Sequence, residues 1–390
     1  MKDDNNSYDQ DINISWILIV SLSAIFYIIS YYKIYETNIF IYIGKYILFI
    51  MFIFGIYRKV KKNLVIHYQF IFFSALLALS CLLNLLYVVS STNLSIITSL
   101  SNFIIYFITG IVAVYLYPKI DFSLFKSILI IYLVISFLFI ILPSLISVND
   151  STSYILNNVR YRFTGPFNNP NELSQFSVIV FFISIRLWYI FSKVPLKILL
   201  IITAFSSVYL VYLSQSRAGI IIVTLTLIAW FMIKIYLIVP KKIFVSIVLF
   251  LSTTSLILLL LLLNLSNYNF NLNLNEFSSG RIANWLRIIS VDNWQTFFFG
   301  IGQKEGMGSH NGFLEIYQFY GIFGLFIWLF IIIRLLYKKI YANTLRIYRF
   351  SQISVGIVCL IIIYHMFEGA LVSIANVSSI YFWLELSQRN

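Results

Sequence analysis

The chain has 390 residues, of which 61% are hydrophobic and 11% are charged, and it carries a formal net charge of +13. A soluble domain is about half apolar and about a quarter charged, and a soluble chain this apolar would expose very large apolar patches. These values exclude a soluble enzyme and predict an integral membrane protein.

Apolar runs of roughly 18 to 25 residues follow one another along the chain, and each is long enough to cross about 30 Å of hydrocarbon as a helix. Residues 1–11 lack the basic start and the cleavage site of a secretory signal, so the first run is expected to be retained. We predict an all-α integral membrane protein, a single polytopic domain over residues 1–390 with about twelve transmembrane helices. The predicted limits are 14–32, 38–57, 66–90, 95–117, 122–147, 172–192, 196–213, 217–238, 242–264, 312–337, 351–367 and 370–387.

The basic residues of the short connections predict the orientation. If the amino terminus is cytoplasmic, segments rich in Lys and Arg, such as Arg58–Asn63 and Lys338–Arg349, fall on the cytoplasmic side. This agrees with the positive-inside rule and predicts that both termini are cytoplasmic. The bias also explains the net charge without nucleic acid. Arg186, Lys234 and Arg334 lie nearer the predicted cytoplasmic ends of their spans, where their side chains can snorkel.

Two predicted outer loops, 148–171 and 265–310, are long, and long loops on a tight scaffold often carry binding sites. Basic residues near outer span ends run against the positive-inside rule. Arginine nevertheless occurs there at five positions: Arg160, Arg162, Arg217, Arg281 and Arg287. A planar guanidinium binds phosphate through two parallel hydrogen bonds, so the set favours a site for a lipid-linked phosphate or diphosphate. The alternatives are contacts to lipid head groups and ion pairs within the loops.

Arg217 stands between two apolar spans, in the segment Ser-Gln-Ser-Arg-Ala-Gly at 214–219. Ser214 or Ser216 can cap the following helix. An arginine at a helix amino terminus adds to the positive end of the helix dipole, which is favourable only if an anion binds there.

Each of the two long loops is predicted to contain helical residues. In the first, Asn169, Pro170 and Glu172 predict a helix start with a capping box. In the second, 279–289 predicts a short amphipathic helix that holds Arg281 and Arg287 at the depth of the lipid head groups.

His310 ends the second loop, between glycines that permit close approach of a substrate. Imidazole titrates near neutrality and can take a proton from a hydroxyl, so His310 is a candidate general base. The alternative is an ordinary surface histidine. The acidic residues predicted on the outer face show no paired-ligand spacing, so we predict no metal site.

The ordered motifs resemble a known family. They are an Arg-x-Arg-x-x-Gly-x-x-x-x-Pro-Asn loop from Arg160, Ser-Gln-Ser-Arg-Ala-Gly at a span start, Ser-Gly-Arg and Phe-Gly-Ile-Gly in the second loop, and His-Asn-Gly-Phe-Leu-Glu followed by Tyr-Gly-Ile-Phe-Gly. Over about residues 160–324 the chain resembles the O-antigen ligase/polymerase superfamily of bacterial inner-membrane glycosyltransferases.

The resemblance implies a GT-C-like helical fold and a periplasmic active site that uses no cofactor and no metal. The donor would be an oligosaccharide on undecaprenyl diphosphate, transferred with inversion. By position, Arg217 and Arg281 match the family's catalytic diphosphate-binding arginines, and His310 matches the residue that activates the acceptor hydroxyl. Arg160 or Arg162 matches the arginine of the earlier loop. Arg287 and Asn311 are further candidates for substrate binding.

Within the superfamily, the overall character of the spans favours an O-antigen polymerase of the Wzy type, which takes part in lipopolysaccharide biosynthesis. The alternative is an O-antigen ligase that transfers the glycan to lipid A–core. From another class, a polysaccharide or lipid transporter would need charged residues along a path through the membrane. Expected partners are the lipid-linked oligosaccharide, the bilayer and a chain-length regulator protein, and no nucleic acid.

Overall fold

The computed structural model describes residues 4–33, 39–61, 71–72, 74–76, 78–79, 82–83, 107–157, 160–238, 281–290, 294–300, 310–344, 349–369 and 377–387. These residues are mostly helical. In chain order the helices are α1 (Asp4–Ile29), α2 (Ile39–Val60), α3 (Phe107–Lys119), α4 (Phe122–Asn149), α5 (Pro170–Ile190), α6 (Val194–Ser214), α7 (Arg217–Ile238), α8 (Arg281–Ile289), α9 (Trp294–Phe299), α10 (Gly312–Thr344), α11 (Arg349–His365) and α12 (Val377–Ser387). Strands β1 (Tyr154–Asn157) and β2 (Arg160–Phe163) form an antiparallel hairpin.

Four of the described helices are long and apolar enough to cross a membrane: α4, α5, α6 and the Gly312–Tyr341 part of α10. The prediction of a helical membrane protein is confirmed to that extent. The total of twelve spans stays a prediction. The span 242–264 lies outside the described residues, and the spans 66–90 and 95–117 are described only in part.

Helix α6 shows how the bundle is built for an apolar solvent. One face carries large exposed apolar side chains at helical spacing, among them Ile198, Ile202 and Phe205. The opposite face is buried and contains the small residues Thr203 and Ser207. Small residues let helix backbones approach closely in a membrane, while an apolar outer face suits lipid. The buried face of α6 is therefore more polar than its exposed face.

Helix α5 is the central helix, packed against α4, α6, α7, α11 and α12. Most of its residues from Leu173 to Leu187 are buried. Its start confirms two parts of the predicted pattern, since the Asn169 side chain accepts the Asn171 N–H at 2.9 Å and Pro170 occupies the first helical position.

The hairpin lies at one end of the bundle, which we call the hairpin end. The backbone N–H of Lys33, just after α1, donates to the Pro166 carbonyl at 3.0 Å, and Lys33 Nζ donates to the Thr152 carbonyl at 3.0 Å. Thr164 N–H donates to the Ser153 carbonyl at 2.8 Å. The segment predicted as an outer loop at 148–171 thus contains paired strands fixed to the end of α1.

The other end of the bundle, which we call the opposite end, holds a buried ion pair. Arg186 Nε lies 3.1 Å from Glu385 Oε1, and both side chains are fully buried. Ser354 donates its hydroxyl to the same carboxylate, and Lys339 Nζ donates to the Glu385 carbonyl. The expectation that Arg186 snorkels is therefore wrong, because a carboxylate from α12 offers its charge a partner inside the bundle.

The buried pair gives the first prediction. Glu385→Ala leaves Arg186 charged in an apolar interior, and breaking such a pair costs about 3–5 kcal/mol of stability. The detergent-purified variant should unfold at a clearly lower temperature than the wild type. The matched control is Arg186→Met with Glu385→Leu, which removes both charges and should recover most of the loss. A double variant no more stable than Glu385→Ala would contradict this account.

Candidate functional site

Arg162 joins three segments at the hairpin end. From strand β2, its Nε donates to the Ser214 carbonyl at the end of α6 (3.0 Å), and its Nη2 donates to Asn171 Oδ1 in the first turn of α5 (2.8 Å). Both acceptors are neutral. The contacts therefore orient the guanidinium without cancelling its charge, and they use two of its five N–H donors.

Arg217 is the first residue of α7, and its side chain is exposed. Sequence alone left Ser214 and Ser216 open as the cap. In the structure the Ser216 hydroxyl accepts the Gly219 N–H at 3.4 Å, while Ser214 accepts the Ser216 N–H at 3.3 Å. The turn needs the left-handed conformation at Gln215 (φ 49°). These contacts aim the amino terminus of α7, and its arginine, at the hairpin end.

Arg281 begins α8 and is held by the turn that follows α11. Its Nη1 donates to the Phe367 carbonyl, and its Nη2 lies 3.1 Å from Glu368 Oε1. The Arg281 and Glu368 side chains are 18% and 10% exposed, so the pair is only partly accessible to water. The guanidinium is therefore fixed in direction by two acceptors from one turn.

His310 and Asn311 form the start of α10. Asn311 Oδ1 accepts the N–H groups of Phe313 and Leu314 at 3.0 and 3.1 Å, and its Nδ2 donates to the Met366 carbonyl at 2.9 Å. His310 precedes this cap in a left-handed conformation (φ 47°) and is exposed. The amide of Asn311 is thus engaged in holding α10 to the turn after α11, and His310 stands directly before it in the chain.

The electrostatics show that these groups are neighbours. Burial lowers the pKa of Arg162, and the charges of Arg281 and Arg217 lower it further while Glu368 opposes them. Partial burial, with Arg281 beside it, lowers the pKa of His310. The structure therefore brings together Arg162, Arg217, Arg281 and His310, which the sequence singled out from four separate segments.

Two of the candidate arginines are not part of this group as described. Arg287 is exposed, and its Nη2 lies 3.4 Å from Asn284 Oδ1 within the same helix. It stands six residues after Arg281, which places it on another side of α8. Arg160 is in β2, but its side chain lies outside the described residues.

The group is suited to a polyanion. Within the part of the chain that the structure describes, the charges of Arg281 and Arg217 act on Arg162, and the charge of Glu368 opposes them. Helices α5, α7 and α10 also begin at this end, and their positive dipole ends favour an anion. No cluster of three metal-binding side chains occurs among the described residues. The positive charge of the described site comes from its arginines.

Sequence reasoning did not count Glu368 as a site residue. It stands where the last two predicted spans meet. Its partner Arg281 is 87 positions away in the chain, and no local pattern links the two. The signal that could have found it is a carboxylate between apolar runs, since such a charge requires a partner.

A comparison with protein-family models and with curated proteins finds no match to this chain. The described helices and the arginines at the hairpin end define a mostly helical membrane protein with a cationic site at one end of its bundle.

The packing under Arg217 gives the second prediction. A Cβ on Gly219 would lie 2.1 Å from Ser174 Oγ and 3.0 Å from Val211 Cγ1, both buried. Gly219→Ala should therefore cost about 1–3 kcal/mol through overpacking. In α11, a Cβ on Gly356 would meet nothing within 4 Å, so Gly356→Ala should instead add about 0.4–1 kcal/mol. Thermal unfolding of the two purified variants should shift in opposite directions, and equal shifts would contradict the close approach of α7 to α5.

Proposed function

We propose that the chain is a glycosyltransferase of the bacterial inner membrane that elongates an O-antigen or related surface polysaccharide. It would transfer the growing glycan from undecaprenyl diphosphate to the next lipid-linked repeat unit. The observation that carries the proposal is the meeting of Arg162, Arg217 and Arg281 at the hairpin end, with His310 beside Arg281.

The arginines fit a diphosphate leaving group. Charge develops on the bridging oxygen as the bond between the sugar and the diphosphate breaks, and oriented donors stabilise such charge. Arg162 and Arg281 are each held by two acceptors before any ligand arrives. Their orientation therefore needs little further ordering when the diphosphate binds.

His310 would act on the acceptor. The hydroxyl oxygen of the acceptor sugar attacks the anomeric carbon, the bond from that carbon to the diphosphate oxygen breaks, and the hydroxyl proton passes to the imidazole. One displacement of this kind inverts the anomeric carbon. Partial burial, together with the neighbouring Arg281 charge, lowers the pKa of His310, which favours the neutral imidazole that can accept a proton.

The charges at the opposite end support an orientation of the protein in the membrane. Lys193 and Lys197 lie at the junction of α5 and α6, and Lys338 lies near the end of α10, all away from the hairpin end. Lysine-rich connections favour the cytoplasmic side. The hairpin end and its site would then face the periplasm, where the lipid-linked substrates are exposed.

The acceptor distinguishes the proposed polymerase from the ligase alternative, because the same chemistry with lipid A–core as acceptor would make a ligase. A transporter would place charges along a path through the membrane. Among the described residues, the charged groups away from the site include Arg186 and Glu385, which pair with each other and are fully buried. This arrangement favours chemistry at the surface over passage through the bundle.

The third prediction tests the activity itself. Purified protein, given only its lipid-diphosphate-linked repeat unit, should produce a ladder of lengthening glycans on a gel. Arg217→Ala and Arg281→Ala should each slow the reaction roughly 100- to 1,000-fold, as expected for the loss of one charge-stabilising donor. A single unchanged band would reject the polymerase, and addition of lipid A–core would then test the ligase.

The control for these variants is Arg58→Ala. Arg58 is an exposed arginine near the end of α2 whose guanidinium lies 6.0 Å from the Phe54 ring, and we assign it no role in the site. This variant should keep the wild-type ladder. Equal loss of activity in Arg58→Ala and Arg217→Ala would mean that the effect is not specific to the arginines of the site.

The fourth prediction concerns pH. Because the pKa of His310 is lowered, the base should stay neutral to a lower pH than an ordinary histidine, which titrates near 6.5. The acid limb of the pH profile of kcat/KM should therefore lie below about 6.5. His310→Ala should lower kcat roughly 100- to 10,000-fold and remove that limb. An acid limb that persists unchanged in His310→Ala would exclude His310 as the base.

A further inference from the structure

Glu368 occupies an unusual place in the site. It lies in the turn after α11, its N–H donates to the Tyr364 carbonyl at 3.0 Å, and the residue is 7% exposed. The turn is held from two sides, because Asn311 of α10 donates to the Met366 carbonyl and Arg281 of α8 donates to the Phe367 carbonyl. The carboxylate is therefore a fixed neighbour of the arginines.

This position conflicts with the binding of an anion. Arg281 Nη2 is engaged with Glu368 Oε1 at 3.1 Å, so a diphosphate must share or take over that guanidinium. A second anion at Arg281 would also be repelled by a carboxylate held against it at low dielectric. The conflict disappears if the carboxylate loses its charge when the diphosphate binds.

We propose that Glu368 is a positioning residue that holds Arg281 before a diphosphate binds and takes up a proton when the diphosphate arrives. The inference rests on the proposed function, because it concerns the same site. The proton comes from solvent: the carboxylate and a hydronium ion give a carboxylic acid and water. No bond of the ligand changes in this step.

The direction of the proton transfer follows from the surroundings. Burial raises the pKa of Glu368 above its ordinary value, while the charge and hydrogen bond of Arg281 and the charge of Arg162 lower it. A bound diphosphate neutralises both arginines and adds negative charge nearby. Its binding therefore raises the pKa of Glu368 further, and protonation and anion binding favour each other.

The other groups around the turn do not provide an alternative cation. On the α11 side are Tyr364, whose hydroxyl is within electrostatic reach of Glu368, and His365, whose Nδ1 lies 3.1 Å from the Gly369 carbonyl oxygen. On the α10 side, Glu315 Oε2 lies close to Gly369, 3.1 Å from where a Cβ would stand. Glu315 is acidic, so this side of the turn also supplies no cation.

The test measures proton uptake with inorganic pyrophosphate as the probe and the purified full-length protein. Titration calorimetry in two buffers of different ionisation enthalpy gives the number of protons taken up on binding. The wild type should take up more protons than Glu368→Gln at the same pH, since titration of pyrophosphate itself is common to both. The ratio of the wild-type dissociation constant to that of Glu368→Gln should rise by up to about tenfold per pH unit between pH 6 and 8.

Three further variants make the result specific. His310→Ala removes the nearby imidazole and should keep most of the uptake. Glu368→Asp retains a carboxylate and should also keep it, which supports the inference even if Glu368→Gln fails to fold. Asp150→Asn, at an exposed carboxylate of the hairpin end, should match the wild type. Uptake that disappears in His310→Ala, or that is equal in the wild type and folded Glu368→Gln, overturns the inference.

The same experiment separates this inference from the proposed function. Failure of the wild type to bind pyrophosphate, as the free anion or as the head of a lipid, would contradict the diphosphate site and overturn both. Binding that requires Arg217 and Arg281 but shows no difference in proton uptake would overturn the role of Glu368 alone. In that case Arg281 and Glu368 form a permanent structural pair.

Discussion

A charge inside an apolar bundle must have a partner, and this constraint shapes both ends of the molecule. At the opposite end, Arg186 and Glu385 are fully buried with Nε and Oε1 3.1 Å apart, and Ser354 donates its hydroxyl to the same carboxylate oxygen. At the hairpin end, Arg162 is satisfied through neutral acceptors, and Arg281 has a partly accessible carboxylate partner. At the opposite end the ion pair is fully buried, whereas the ion pair at the hairpin end is partly exposed and lies near further arginines.

The retained charge depends on secondary structure that is local to the hairpin end. Strand β2 places Arg162 between the end of α6 and the start of α5, and the tight turn at Gln215 places Arg217 at the start of α7. The turn after α11 fixes Arg281 and is tied to α10 through Asn311. Arg162 and Arg281 thus each donate to a backbone carbonyl at or just after a helix end, where carbonyls lack intrahelical partners. Helix capping and site geometry are therefore one network.

The sequence was most informative where a single segment decides the outcome. The start of α7 at Arg217 and the start of α5 at Pro170 follow from capping residues and apolar length, and the structure has both. The hairpin was not expected, because two strands of four residues give too little alternation to distinguish them from a loop. The pairs Arg186–Glu385 and Arg281–Glu368 were missed for a different reason. They join residues far apart in the chain, and only tertiary packing reveals them.

The two ends also differ in what their carboxylates can do. Glu385 lies among Arg186, Ser354 and Lys339 in the interior, where no incoming ligand competes for its partners. Glu368 pairs with Arg281, whose side chain is 18% exposed, so a stronger anion can compete with it for that guanidinium. A phosphate group offers more acceptor oxygens and more charge than a carboxylate, and the exchange becomes favourable once the displaced carboxylate is neutral. An arginine site that must bind and then release a diphosphate benefits from such a competitor, because the returning charge of Glu368 weakens the hold on the leaving group.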